Sequence, residues 1–180
     1  MSHLGPLVVR TGDITGRSPN DKFIVKDEYT ADKINWGNIN RPYSPEKFEQ
    51  MFERVKAYLQ NREIYVQDAY AGNDPNYKVP VRIITKYAWQ SLFARNMFVS
   101  ILDEDELKQF KPEFTVIAMP GFLGNPEVDE LNSETFILVN FSKKIVLIGG
   151  THYAGEIKKS IFTSLNFLLM HLKNCQFQII

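Results

Sequence analysis

The chain has no excess charge of either sign: among its 180 residues Lys and Arg number 21, as do Asp and Glu. A balanced sequence lacks the broad basic field that nucleic acids or acidic membrane surfaces attract, so any recognition of anions has to be local. Cysteine is almost missing, with a single Cys175, which excludes an internal disulfide framework and fits a reducing compartment. No apolar run approaches the roughly 18 residues of a membrane-spanning helix. MSHLGPLVV at the N-terminus has neither the basic segment nor the long apolar stretch of a secretion signal. The expectation is a cytoplasmic protein. His3, His152 and His171 lack the mutual spacing of a zinc site, and no acidic or cysteine cluster completes one, so each reads as structural or exposed. No serine stands in a G-x-S-x-G elbow, which leaves hydrolase chemistry unsupported. Internal repeats, low-complexity tracts and linkers are absent as well.

What is there is a globular composition, 44% apolar and 23% charged, in a chain long enough to bury a real core as one domain. Leu7 to Val9 and Phe23 to Val25 read as two short strands flanking a Gly-containing loop. Ser44 followed by Pro45 is an N-cap with proline at the first helical position, and Phe48, Met51, Phe52, Val55, Tyr58 and Leu59 recur at helical spacing. Glu63 to Tyr70 and Val79 to Thr85 read as strands on either side of a turn at Gly72 to Asn76. Tyr87 to Phe98 is expected to be a helix burying Leu92, Phe93 and Met97. Asp103 and Glu106 form a capping pair for a short helix, and Phe114 to Ala118 returns to strand. Pro120 to Asn132, with two glycines, two prolines and several acids, reads as a long surface loop and a functional candidate. Thr135 to Phe141 and Ile145 to Ile148 pattern as a hairpin of buried strands. A last helix from Gly155 to about Leu172 places Ile157, Ile161, Leu165, Leu168 and Leu172 on one side. Alternating elements with a late hairpin predict an α/β fold: a single domain with a mixed β-sheet flanked by helices.

The segment GGTHYAGEIKK, Gly149 to Lys159, follows a strand and opens that helix. Gly150 and Gly155 have the spacing of a nucleotide phosphate loop, yet Glu156 and Ile157 stand where its Lys and Ser/Thr belong, which points to a carboxylate or a metal in place of ATP. Glycines let a backbone approach a ligand, and the helix N-terminus offers free N–H groups with positive partial charge. Lys158 and Lys159 in the first turn oppose the helix dipole. Either they serve a ligand or they face solvent, and a metal-binding lysine would have to be a neutral amine. Tyr153 adds a hydroxyl or ring. In TGRSP, Thr15 to Pro19, a turn glycine and a proline hold Arg17 on a short leash; its planar fork suits a carboxylate or phosphate, the alternative being an arginine in a solvated turn. Trp36, Trp89 and the phenylalanines fall in helix and strand patterns and count as core before ligand contacts.

TGRSPNDKFIVKD at Thr15 to Asp27, YAGNDPNYKVPVRIITKYAWQSLFARNMF at Tyr70 to Phe98, LNSETFILVNF at Leu131 to Phe141 and IGGTHYAGEIKKSIF at Ile148 to Phe162 occur together and in order. They resemble the ATP-dependent phosphoenolpyruvate carboxykinases over about residues 5–169. The resemblance implies an enzyme of gluconeogenesis, a carboxy-lyase that converts oxaloacetate and ATP into phosphoenolpyruvate, CO2 and ADP with Mn2+ and Mg2+. By motif position it implies that Arg17 binds the substrate carboxylate and CO2, that Tyr153 lies beside the oxaloacetate or phosphoenolpyruvate site, and that Lys159 ligates Mn2+. Gly155 and Lys158 would share that pocket. Decarboxylation leaves an enolate, which a metal and Arg17 would stabilise as its charge develops.

The resemblance stops at residue 169. Members of the family continue into a Met-His-Cys-Ser-Ala-Asn segment with a second metal ligand, then a phosphate loop, a metal-binding aspartate and an adenine site. MHLKNCQFQII from Met170 matches none of these, and His171 is not equated with the ligand histidine. An N-terminal stretch of some tens of residues is also expected before Leu7. The sequence therefore reads as a substrate-binding domain at 1–169 with an unrelated tail at 170–180, no nucleotide-binding residues, and no activity by itself. Two alternatives stay open: a free-standing oxaloacetate- or phosphoenolpyruvate-binding module, and a chain that complements a separate nucleotide domain. An uncovered interdomain face would leave Ile161, Phe162, Phe167 and the tail Phe177 to Ile180 as an adhesive patch.

Overall fold

The structure, a computed structural model, describes residues 5–9 and 11–171. Its centre is built from strands whose sequences are apolar almost throughout, the signature of a sheet covered on both faces. Strand β1 (Lys22–Val25), β6 (Phe114–Met119), β7 (Phe136–Asn140) and β8 (Ile145–Gly149) are the clearest cases. Alternation then divides their side chains. Ile24, Val116, Ile137, Val139, Val146 and Ile148 face one hydrophobic cluster, whereas Val25, Ile117, Met119, Phe136, Leu138 and Leu147 face another.

Each face has its own helices. α1 (Pro45–Leu59) contributes Phe48, Met51 and Val55 to the second cluster, and its Ser44 cap accepts a hydrogen bond from the Lys47 amide. α2 (Ala88–Met97) and α5 (Gly155–His171) cover the first, with Ala94, Ile157, Ile161, Phe167 and Leu168 turned inward. With β2 (Arg41–Tyr43), β3 (Tyr65–Ala71), β4 (Val79–Thr85) and β5 (Val99–Ser100), the described residues form an eight-stranded sheet in the order β2-β1-β7-β8-β6-β4-β3-β5. The sheet is mixed. β2, β1 and β7 run parallel, as do β8, β6 and β4, while the β7–β8 hairpin and the β4–β3–β5 meander are antiparallel. This is the α/β architecture expected from the sequence. No helix among the described residues is long and apolar enough to cross a membrane.

Several local expectations need correction. Leu7 to Val9 is not a strand; it pairs with nothing described, and Val8 is 73% exposed. α2 forms as expected but in a different phase: Gln90 and Ala94, an i,i+4 pair, are buried, while Leu92 is 49% and Met97 42% exposed and Phe93 is half-buried. The small Ala94 allows the helix to approach the sheet closely, so packing overrides the apolar pattern. β2 and β5 are too short for a period to show, and Pro42 is tolerated in β2 because that strand lies at the sheet edge. The expected short helix forms as α3 (Glu104–Lys108), and the loop after β6 contains another, α4 (Pro126–Asp129), whose Asn125 side chain caps the Glu127 and Val128 amides. The adhesive patch is also smaller than expected. Ile161 and Phe167 are buried, Phe167 stacking on Phe141 at 4.0 Å between centroids, and only Phe162 is exposed. The tail from Phe177 to Ile180 lies outside the described residues.

Candidate functional site

β8 ends at Gly149, and the chain reaches α5 through Gly150 to Ala154. A side chain at Gly149 would collide with the Phe136 ring, its Cβ lying 2.4 Å from the ring carbons. At Gly150, where φ is +69°, a Cβ would lie 2.6 Å from the Glu134 carbonyl. These glycines are thus required by close packing against the neighbouring segment 134–136, through the Phe136 ring at Gly149 and the backbone at Gly150. Thr135 Oγ1 donates to the Gly150 carbonyl (3.1 Å), tying the two segments together. His152 stacks on Tyr87 and its carbonyl accepts from Gln90 Nε2, a structural setting in keeping with its reading from sequence. Tyr153 is half-buried with its ring directly over Gly155, where an added Cβ would meet ring carbons at 2.5 Å. Tyr153 and Gly155 therefore form a single surface at the start of α5.

Against that start lies the Arg17 segment. The Ser18 amide donates to Oε1 of Glu156 at 2.9 Å, a contact between residues 138 apart in sequence. Glu156 is only 4% exposed, so the bond is made by a carboxylate withdrawn from water. Glu156, Lys159 and Thr163 recur at i, i+3 and i+7 and share one face of α5. On that face Lys22 Nζ donates to Thr163 Oγ1 (2.7 Å), and Thr163 donates in turn to the Lys159 carbonyl. Burial lowers the pKa of Lys22 below the ordinary lysine value; the Glu156 carboxylate opposes that shift and the Arg17 guanidinium adds to it. Arg17, Lys22 and Glu156 consequently lie in one electrostatic neighbourhood. The exit of the Arg17 segment is pinned too: Arg41 Nη1 donates to the Asn20 carbonyl (2.6 Å), and Ser133 Oγ to Asp21 Oδ1 (2.9 Å).

Three cations at this junction are left without a counterion. Arg17, Lys158 and Lys159 are exposed, and among the described residues no carboxylate lies within ion-pair distance of any of them. Lys158 shares its side of α5 with the exposed Phe162, one face away from Lys159. Of the residues expected from sequence, Arg17 and Lys159 are brought toward each other by the Ser18–Glu156 contact, and Tyr153 and Gly155 are stacked at the same helix end. A cavity of about 590 Å³ on the other side of the Gly150 loop carries Asp13 and Glu134 and no Lys or Arg. It does not suit an anion, whereas the first turn of α5 does.

The residues that sequence reasoning missed are Glu156, Lys22, Ser18 and Thr163. Glu156 had a signal, an acid where a phosphate loop carries lysine, but nothing local announced that it would be buried against a segment from the opposite end of the chain. The described residues do not by themselves fit a metal. They contain no group of three or more His, Cys, Asp or Glu able to hold one, and Lys159 supplies a single nitrogen where Mn2+ or Mg2+ needs a set of mostly oxygen donors.

Comparison with known proteins gives consistent matches to one family. The family model described as phosphoenolpyruvate carboxykinase matches residues 1–178. Relatives named phosphoenolpyruvate carboxykinase (ATP) include that of Geotalea uraniireducens (strain Rf4), 54% identical over 171 residues, which is 95% of this chain and 32% of the relative. That of Flavobacterium johnsoniae is 49% identical over 170 residues, 94% of this chain and 32% of the relative. That of Caldanaerobacter subterraneus subsp. tengcongensis is 53% identical over 165 residues, 92% and 31%. The chain spans about a third of the length of the curated relatives it matches.

Proposed function

The chain belongs to the phosphoenolpyruvate carboxykinase family, and from that premise we propose that it forms the organic-acid-binding part of an ATP-dependent carboxykinase acting on oxaloacetate and phosphoenolpyruvate in the cytoplasm. In this reading Arg17 engages a substrate carboxylate through its planar fork, Tyr153 and Gly155 form the wall beside it, and Lys158 adds positive charge. Loss of CO2 from oxaloacetate places an electron pair on the enolate oxygen. Cations already positioned at the site stabilise that charge without reorganising as it develops. Lys159, cationic without a metal, would have to lose its proton to offer one nitrogen to Mn2+, and the remaining ligands, the Mg2+ and ATP sites and the phosphoryl transfer are assigned to residues outside these 180.

The observation that carries the reading is that Arg17, Lys158 and Lys159 lie on the two segments joined by the Ser18–Glu156 contact and have no ion-pair partner among the described residues. Lysines and arginines elsewhere in the molecule commonly find a carboxylate, a carbonyl or a ring, as Lys144 does with Glu113 and Lys78 with Tyr70. Calorimetric titration with oxalate, a dicarboxylate of the substrate class, tests the assignment. Arg17→Ala should lower the affinity about tenfold or more, the scale of a charge-assisted bidentate contact, and leave the melting temperature unchanged. Equal affinity in both proteins would remove Arg17 from the site.

A further inference from the structure

Glu156 has no role in the reading above, yet it is a buried acid in direct contact with the Arg17 segment. Its Oε1 accepts from the Ser18 amide, the residue directly after Arg17, and its helix face carries Lys159 and the Thr163 that receives Lys22. Ser18 N–H is otherwise a loop amide with no partner in a sheet or helix. Thr15 to Pro19 is moreover mostly exposed and carries no other hydrogen bond that reaches α5 among the described residues. A buried carboxylate that tethers an exposed segment to α5 beside its cationic residue is well placed to act on that residue.

We propose that Glu156 is a positioning residue: its carboxylate clamps the Arg17 segment onto the first turn of α5 through the Ser18 amide, holding the guanidinium beside Lys159 and the Tyr153–Gly155 wall. The inference rests on the reading of Arg17 as the carboxylate-binding group and deepens it. It also explains why an acid occupies the position where a phosphate loop has its lysine. A lysine there would repel Lys22 and leave the Ser18 amide without an acceptor.

Electrostatics and the clamp make opposite predictions. Removing the Glu156 charge makes the junction more positive, which by itself would tighten binding of a dianion. Releasing the Arg17 segment adds ordering entropy to binding and weakens it. The experiment is a double-mutant cycle with oxalate, together with amide hydrogen exchange at Ser18 in the unliganded protein. We expect Glu156→Ala to speed Ser18 exchange about tenfold or more with β1 amides unchanged, and to weaken oxalate about tenfold, the scale of one hydrogen bond to a charged group. In the Arg17→Ala background the same substitution should leave affinity unaltered or slightly raised. Tighter binding by Glu156→Ala, an equal loss in both backgrounds, or wild-type exchange at Ser18 would each overturn the clamp. If Arg17→Ala alone binds as tightly as wild type, the carboxylate reading fails, and Ser18 exchange still decides whether the segment is clamped. Should Glu156→Ala fail to fold, Glu156→Gln keeps a neutral acceptor at the same place and should show the same pattern at about threefold.

Discussion

Two loops rich in glycine and proline attract attention in this sequence, Pro120 to Asn132 and Thr15 to Pro19, and the structure treats them in opposite ways. The first is tied down around its buried acid. Arg54 of α1 pairs with Asp129 (2.5 Å), Asp129 Oδ2 also accepts from the Asn125 amide, and the Tyr43 hydroxyl donates to the Asp129 carbonyl (2.7 Å). Lys47 donates to the Val128 carbonyl, and Phe122 packs edge-on against both Tyr58 and Phe136. The second loop has the Ser18 amide on Glu156 and the Pro19 carbonyl accepting from Arg41, and its arginine has no ion-pair partner among the described residues. Similar composition thus serves two ends: in the first loop the buried Asp129 is tied to α1 and to its own backbone, whereas the second lies exposed around an arginine with no ion-pair partner among the described residues, as the proposed carboxylate-binding role requires.

That contrast can be broken most forcefully at Arg54. Replacing it with alanine leaves the buried Asp129 carboxylate without its counterion, and stability should fall by about 3 kcal/mol in urea unfolding, while oxalate affinity of the folded protein stays unchanged. A parallel loss of oxalate binding would mean that the first loop also serves the site. Gly150→Ala should cost about 2 kcal/mol by thermal melting, because a side chain there meets the Glu134 carbonyl at a positive φ. Full stability would show that the 134–136 segment yields easily.

Tyr43→Phe leaves the Asp129 carbonyl without its donor and should cost about 1–2 kcal/mol near neutrality. Its pH dependence sharpens the comparison. Burial, then Asp129 and Glu130, raise the Tyr43 pKa, so the folded state keeps a proton that the unfolded chain releases above about pH 10. Stability should therefore fall as pH climbs beyond 10, and Tyr43→Phe should abolish that fall. Lys22 acts with the opposite sign. Its folded pKa lies below 10.5, so its charged form is disfavoured in the folded protein, and stability should rise as pH increases from that lowered value to 10.5. Chemical denaturation between pH 8 and 12 in wild type, Tyr43→Phe and Lys22→Met separates the two. The smallest effect is expected at Lys158→Ala, within about 0.5 kcal/mol of wild-type stability and about threefold weaker for oxalate. An unchanged oxalate affinity would place Lys158 among ordinary solvated lysines.

Much of the fold was legible because the relevant physics is local. Ser44 and Pro45 announce α1, Asp103 caps the Glu106 amide, Val79 to Thr85 is a strand with the bounds its β-branched residues suggest, and the 136–149 hairpin follows from two apolar runs around a short turn. What failed was phase and partnership. Leu92 and Met97 look like the buried face of α2, but the contact with the sheet is made through Gln90 and Ala94. Leu7 to Val9 has the composition of a strand and finds no neighbour to pair with among the described residues. In the proposed site, Arg17, Tyr153, Gly155, Lys158 and Lys159 stand out as candidates because their motifs are distinctive. Glu156 and Lys22 could not, since their importance lies in what they face.

The sequence alone therefore determined the α/β class, the helix starts, the buried strand runs and the family, all of which depend on residue type and spacing along the chain. Only the tertiary structure decided which loop is tied into the core and which lies exposed against α5. A counterion 75 residues away for Arg54 and an amide 138 residues away for Glu156 are properties of distance in space. Burial is what gives those distances their energetic weight, and burial exists only once the sheet and its two helix layers have closed around them.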